Sequence, residues 1–185
     1  MKPDEFEAVF DQFTESAIRL ETRQSYAAPE EADLLAAWRE GRPVPEQSVV
    51  TSPWLEKMAR GVMGDKTWAR ARIVEFPLSE YLHYELAGYI QSAACGEEIV
   101  IADRSSCPEL AALQRDFWIF DMSTAAEFAV LLRYDDRGTL TGIDHTRDKK
   151  ALRECKTSLV TACRHAEPLS AFLARYRKSR RRAGQ

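Results

Sequence analysis

The stretch Thr67–Asp121, TWARARIVEFPLSEYLHYELAGYIQSAACGEEIVIADRSSCPELAALQRDFWIFD, constrains the fold more than any other part of the chain. Its apolar residues change period along the way. Ala69–Phe76 alternates as a strand, with Ala71, Ile73 and Phe76 inward and Arg70, Arg72 and Glu75 outward. Pro77 ends that strand, and Ser79 is a suitable cap for a helix over Glu80–Cys95. Leu82, Leu86, Ile90 and Ala93 share one face of this helix, while Tyr81, Glu85, Gly88 and Ser92 share another. Gly96 suits the left-handed position past the helix end. Glu98–Ala102 is a short apolar strand, so strand, helix and strand together predict a parallel βαβ unit. Pro108 begins a short helix in the loop over Ser105–Gln114. Asp116–Asp121 is apolar throughout its middle, as expected of a strand covered on both faces.

The flanks are read the same way. Phe6, Val9, Phe10, Phe13, Ala17 and Leu20 recur at three- and four-residue spacing, which predicts one helix from Pro3 to about Thr22. Ala28-Pro29-Glu30-Glu31 begins a second helix carrying Leu34, Leu35 and Trp38, and Gly41 stops it. A loop over Arg42–Val50, with Pro43 and Pro45, leads to Ser52-Pro53, which starts a short helix bearing Trp54, Leu55 and Met58. Glu127–Tyr134 and Thr139–Ile143 flank a hairpin turn at Asp135-Asp136-Arg137-Gly138. From Arg147 the chain is helical. Leu152, Cys155, Leu159, Ala162 and Cys163 make one stripe, Pro168 breaks the run, and Leu169, Phe172, Leu173 and Tyr176 make another. The expected class is α+β: a mixed sheet of about five strands with a βαβ unit and packed helices, plus a helical N-terminal part. Residues 1–65 form the helical subdomain; 66–185 form the α/β core with C-terminal helices and basic tail, the two making one compact unit.

At 185 residues the chain suits a single domain with a sizeable core. It has no apolar run near the roughly 20 residues that cross a bilayer, and its acidic start lacks the features of a signal peptide. A cytoplasmic protein without membrane contact is expected. Cys95, Cys107, Cys155 and Cys163 are scattered, without a CxxC pair, so free thiols are expected. A zinc site would need ligands from three distant segments; no metal or cofactor is assigned. The formal net charge of −3 includes six basic residues in the tail RYRKSRRR, so the rest of the chain carries about −9. Arg175, Arg177, Lys178, Arg180, Arg181 and Arg182 are therefore candidate contacts for nucleic acid or an acidic partner, set against a plain solvated helix end.

Tyr81, His83, Tyr84 and Glu85 form the most polar-aromatic cluster in the core helix. Glu85 with Tyr81 and Tyr89 at four-residue spacing would line a pocket, although such neighbours are routine on a half-exposed helix face. His83 and Glu85, two apart, point to different sides and do not share an ion. Asp116 and Asp121 lie roughly 17 Å apart along a strand, too far for a paired-carboxylate mechanism, and are read as strand terminators. Asp135, Asp136, Asp144, His145 and Asp148 are denser: His145 beside Asp144 and Asp148 offers a metal half-site, but turn formation and helix-start capping account for these acids more simply. GxSxG, Walker A, GxGxxG, HExxH and HxK patterns are all missing. Catalytic residues are therefore not assigned. The candidate binding residues are Arg70, Arg72, Tyr81, Glu85, Asp121 and His145.

The ordered series RLETRQSY at 19–26, AAW with a following glycine at 36–41, RARIVEFPLSEYLHYEL, CGEEIVI, DFWIFD and YDDRGTLTG resembles an actinobacterial family of unknown function. The resemblance runs from about residue 6 to about residue 176. It implies a small cytosolic protein encoded beside helix-turn-helix regulators, in gene sets of developmental or toxin–antitoxin-like control. The family has no established catalytic residues. The order of elements is also similar to half of a phospholipase D-like domain lacking its HxK dyad, a likeness of fold alone. Together these imply a non-enzymatic regulatory or interaction protein whose partner is a helix-turn-helix regulator or a second copy. The alternatives are a degenerate phospholipase D-like enzyme or toxin acting on a phosphate-containing substrate, and a nucleic-acid binder working through the tail.

Overall fold

In a computed structural model, residues 1–42 and 47–183 are described, so Pro43 and Pro45 of the expected loop lie outside the described residues. The elements run α1 (Pro3–Val9), β1 (Ser16–Glu21), α2 (Ala32–Arg39), α3 (Pro53–Met63), β2 (Thr67–Val74), α4 (Glu80–Ala94), β3 (Glu98–Asp103), α5 (Pro108–Ala111), β4 (Asp116–Phe120), β5 (Phe128–Tyr134), β6 (Leu140–Thr146), α6 (Lys149–Arg164), β7 (Ala166–Pro168) and α7 (Leu169–Ala183). Among the described residues one mixed sheet holds seven strands in the order β6-β5-β4-β1-β2-β3-β7. β1, β2 and β3 are mutually parallel, and every other pairing is antiparallel. The class is α+β as expected, and the expected βαβ unit is β2-α4-β3. The strand count is corrected from about five to seven, the additions being β1 and the three-residue β7.

β1 corrects the expectation of one helix over Pro3–Thr22. The helix stops at Val9, and Ser16–Glu21 is the central strand of the sheet. Phe10, Phe13, Ala17 and Leu20 are indeed all buried, but they come from a helix end, a turn and a strand. Their helical spacing is a coincidence of three local structures. β1 is also hard to recognise because its polar residues point inward.

The pairings set two faces. On one, Arg19 pairs with Arg70 and Trp118, and Glu21 pairs with Arg72. On the other, Leu20, Ala71, Ile73, Phe117, Ile119 and Ala129 pack against Leu152, Cys155, Leu159 and Ala162 of α6. The α6 stripe is the expected one, except that Cys163 is exposed. The first face is covered in two places. At one end α1 and α3 bury an aromatic group in which Phe10 meets Trp54 and Trp118 edge-on, each at 4.9 Å, and stacks on Trp68 at 5.8 Å. At the other end Leu82 and Leu86 of α4 join Val74, Ile99, Ile101 and Phe172. Between these apolar groups the same face is charged.

Local signals behave as expected at the ends of elements. Ser52 caps α3, Ser79 caps α4 and Asp148 caps α6, each side chain accepting from a backbone N–H of the first turn. Gly96 takes a φ of +98°, and a Cβ there would stand 2.8 Å from Val62. Asp135 holds its hairpin by accepting from Arg137 N and Thr139 N. No described helix is long and apolar enough to cross a membrane.

Asp116 and Asp121, each 2% exposed, pin the two ends of β1. Asp121 accepts from the backbone N–H groups of Thr14 (2.9 Å), Glu15 (2.6 Å) and Ser16 (3.2 Å). Asp116 accepts from Thr22 N at 2.8 Å, from Thr22 Oγ1 at 2.7 Å, and from the Tyr26 hydroxyl. Because β1 and β4 run antiparallel, the aspartates at the two ends of β4 meet opposite ends of β1. Burial alone would raise the Asp121 pKa, but the N–H groups of Glu15, Ser16 and Thr14 outweigh it and hold it below the usual carboxylate range. Asp121→Ala leaves these donors without their acceptor and should cost about 3 kcal/mol in urea unfolding. A depressed folded pKa means that the contribution of Asp121 is complete above about pH 4 and is lost as pH falls through the folded value. The variant should therefore lose less stability than the parent over that acid interval.

Candidate functional site

Three guanidinium groups converge on one carboxylate beneath α4. Arg70 Nη1 lies 2.7 Å from Glu21 Oε2, Arg72 Nη1 lies 3.4 Å from the same oxygen, and Arg19 Nε is 3.3 Å from Glu21 Oε1. Arg70 also donates through Nε to Glu97 at 3.0 Å, and the Tyr89 hydroxyl donates to Glu21 at 2.6 Å. Each arginine stands over an aromatic ring: Arg19 over Trp118, Arg70 over Tyr89 and Arg72 over Tyr26, at 5.3, 4.9 and 5.1 Å. Arg72 is fully buried, at 0% exposure. The expectation that Arg70 and Arg72 point outward is corrected. Alternation was right, but both faces of β2 are covered and its charged face is neutralised from β1.

The same arrangement turns α4. Its buried residues are Tyr81, Leu82, Leu86, Tyr89 and Ser92, whereas Ile90, expected inward, is 44% exposed. The helix lays Tyr89 over Arg70 and Tyr81 against Tyr26, and leaves part of its apolar face outside.

Burial would raise the Glu21 pKa, but Arg70, Arg19 and Arg72 overcome it and hold the group far below the usual range. Arg19, Arg70 and Arg72 are correspondingly raised despite burial, with Glu21 the largest upward influence on the first two and Tyr89 on the third. Glu85 behaves oppositely. Burial and the neighbouring Glu21 charge raise its pKa, against the pull of Arg72 and Arg70. Burial likewise raises Tyr81, and pushes the more open Tyr84 up to about 12. Among the described residues Arg72 Nε and Nη2 lack a hydrogen-bond partner, as does Glu97 Oε2. Arg19 Nε, although 3.3 Å from Glu21 Oε1, also makes no hydrogen bond, so the cluster is unsaturated at both Arg19 and Arg72.

Above this floor lies a cleft of about 810 Å³ between α2, α3 and α4. Arg70, Glu85 and Tyr89 line its base, and Glu31, Trp38, Trp54 and Tyr84 stand around it. Trp38 meets Tyr84 edge-on at 6.2 Å, and the Tyr81 hydroxyl donates to Glu31 at 3.2 Å. Arg70 is already engaged by two carboxylates, so acid and aromatic faces dominate what the cleft offers. That chemistry suits a cationic group with apolar flanks.

Of the six expected binding residues, Arg70, Arg72, Tyr81 and Glu85 are brought together. Asp121 and His145 are not. Asp121 is committed to the start of β1, and His145 lies on β6 against the Phe128 ring at 5.0 Å. Burial and Arg147 lower the pKa of His145. His83 is bonded to the Tyr176 hydroxyl at 2.7 Å. No histidine is among the cleft residues. In the tail, Arg175 is paired with Glu167 at 2.6 Å, while Arg177 and Lys178 are exposed on α7. The side chains of Arg180, Arg181 and Arg182 lie outside the described residues. The sequence reading missed Arg19, Glu21, Glu31 and Glu97. The available signal was the charge pattern Arg-x-Glu inside SAIRLE beside Arg-x-Arg inside ARARIV, complementary only once the two strands pair.

Glu21→Ala should cost about 3–5 kcal/mol in urea unfolding, because it strands three buried guanidiniums. Glu85→Gln should do the reverse at neutral pH. A raised folded pKa means the native state holds the Glu85 proton more tightly than the unfolded chain does. That stabilisation is lost as pH rises from about 4 through the folded value. The midpoint of Glu85→Gln should lack this decline and exceed that of the parent above it.

No curated protein and no solved structure matches the chain. A family model matches the chain over the elements from α1 into α7, including every strand of the sheet and the residues that line the cleft. Residues 4–174 fit the domain of unknown function DUF6879, and the chain belongs to that family.

Proposed function

We propose that the protein is a non-enzymatic binding protein, and that its recognition surface is the cleft between α2, α3 and α4. The observation carrying this reading is the composition of the cleft. Glu85 and Glu31 stand with the rings of Trp38 and Tyr84 around a base whose one arginine is already neutralised by Glu21 and Glu97. The residues also argue against catalysis: Cys95 lines the cleft without a histidine beside it, and burial raises the pKa of the cleft tyrosines Tyr84 and Tyr89. The occupant is a protein segment that presents a cationic side chain between apolar ones. A helix-turn-helix regulator fits, because its DNA-reading helix is basic and amphipathic. On this reading the protein is a cytoplasmic partner of such a regulator, in developmental or toxin–antitoxin-like control of the actinobacterial type. Exposed apolar residues at the mouth, Trp38, Val49 and Ile90, supply flanking contact.

One observation favours a second reading, an enzyme or toxin of degenerate phospholipase D-like kind acting on a phosphate-containing substrate. The unpartnered Nε and Nη2 of Arg72 are donors suited to an anion.

Tryptophan fluorescence separates the two, since Trp38 and Trp54 line the cleft. Titration with a peptide of the regulator's reading helix should quench or shift the emission, and Glu85→Gln should weaken binding about tenfold. Affinity should rise with pH through the raised Glu85 value, because a bound cation favours the ionised carboxylate. The groups facing Glu85 are Glu21 of β1, Arg70 and Arg72 of β2, and Tyr89 of its own helix. A response to inorganic phosphate that Arg72→Met abolishes would favour the second reading. Failure of protein and regulator to co-elute at micromolar concentration would remove the first.

A further inference from the structure

On the opposite side of the sheet, where α6 runs into β7, three donor side chains of different kinds meet. The Cys107 Sγ, a Glu109 carboxylate oxygen and a His165 ring nitrogen lie within 4.8 Å of one another. His165 Nε2 is 3.5 Å from Glu109 Oε2. The donors come from two distant segments of the chain. Cys107 is the residue before α5 and Glu109 lies in the first turn of α5, while His165 is the residue that ends α6. Cys107 and His165 are half-buried, and Glu109 is exposed.

We infer that Cys107, Glu109 and His165 form a binding site for a zinc-like divalent ion. The donor set carries the choice of ion. Thiolate and imidazole select borderline-soft d-block ions over magnesium or calcium, which take oxygen ligands. One thiolate and one carboxylate balance the dication. Bonds of about 2.0–2.3 Å in a tetrahedron place ligand atoms roughly 3.3–3.8 Å apart. The Glu109–His165 pair, at 3.5 Å, already meets this spacing, and the Cys107 sulfur, within 4.8 Å of both, has to close by about 1.5 Å at most. Three protein ligands leave a fourth position for water or for a donor from another molecule.

Both arms of the site are held by bonds unrelated to any ion, so the donors are preorganised. Arg104 Nη1 lies 3.3, 3.3 and 3.1 Å from the carbonyls of Leu110, Ala111 and Leu113 and ties down the α5 segment. Leu110, at 0% exposure, anchors the same segment in the core. The His165 backbone N–H is bonded to the Ala162 carbonyl at 3.2 Å, and Ala162 is itself buried. A bound ion would clip α5 to the α6–β7 junction. The site shares no residue with the cleft, so it stands or falls independently of the proposed function.

Cobalt(II) is the probe, added to the full reduced chain. One equivalent should produce visible d–d absorption and a near-ultraviolet thiolate-to-cobalt band, both removed by one equivalent of zinc. Cys107→Ser should abolish the charge-transfer band, and His165→Gln should weaken cobalt binding at least tenfold, with circular dichroism spectra like the parent's. Zinc should raise the melting temperature of the parent and leave that of the Cys107→Ser, His165→Gln double variant unchanged. Absence of the band at high micromolar cobalt would overturn the assignment. So would a band that persists in Cys107→Ser, since the thiolate would then belong to Cys95, Cys155 or Cys163.

Discussion

The convergence of Arg19, Arg70 and Arg72 on Glu21 is the constraint around which the rest of the molecule is arranged. Three cations and one anion in a buried layer would be untenable alone. Glu97, the hydroxyls of Tyr26, Tyr89 and Tyr134, and three aromatic faces complete their surroundings. Desolvating such a group is expensive, and its mutual attraction offsets that cost only in the correct geometry. The cluster therefore contributes more to the uniqueness of the fold than to its stability. β1 must lie beside β2 in one register, because a slip by one residue would place Arg19 and Glu21 among the leucines facing α6.

Two devices keep that register. Asp121 and Asp116 grip the two ends of β1 through backbone N–H groups, so the central strand is fastened to β4 by side chains as well as by its ladder. On the far face, Leu20, Ala71 and Ile73 sit under α6 in an apolar layer. One face of the central strands is thus ordinary core and the other is a charged floor between two apolar groups. α4 settles over that floor with Tyr81 and Tyr89 buried, which places Glu85 in the cleft and Ile90 outside.

The electrostatic contrast between Glu21 and Glu85 is what makes the cleft chemically distinct. Buried Glu21 and half-buried Glu85 lie near the same arginines, yet the pKa of the first is lowered and that of the second is raised. Glu21 is bonded directly to the arginines, whereas for Glu85 burial and the Glu21 charge outweigh the pull of Arg72 and Arg70. The proposed recognition role draws on this contrast and on the cleft's aromatic walls.

Much of this was legible in the sequence. The βαβ unit, the DFWIFD strand, the hairpin, the α6 stripe and the caps at Ser52, Ser79 and Asp148 rest on local period and turn chemistry, which few residues determine. Of the six expected binding residues, Arg70 and Glu85 line the cleft, and Arg72 and Tyr81 are buried beside them. β1 was not legible, because Phe10, Phe13, Ala17 and Leu20 imitate a helical stripe and because Arg19 and Glu21 look like a solvent-facing pair. Charge within one strand carries no sign of a partner 49 or 51 residues away. Only strand pairing brings Glu21 to Arg70 and Arg72, and only the packing of α5 on α6 brings Cys107 and Glu109 to His165. The sequence by itself determined where the chain bends, coils and extends, since those choices are local. Tertiary structure alone decided which charges are buried, because a charge goes inward only when a distant segment neutralises it.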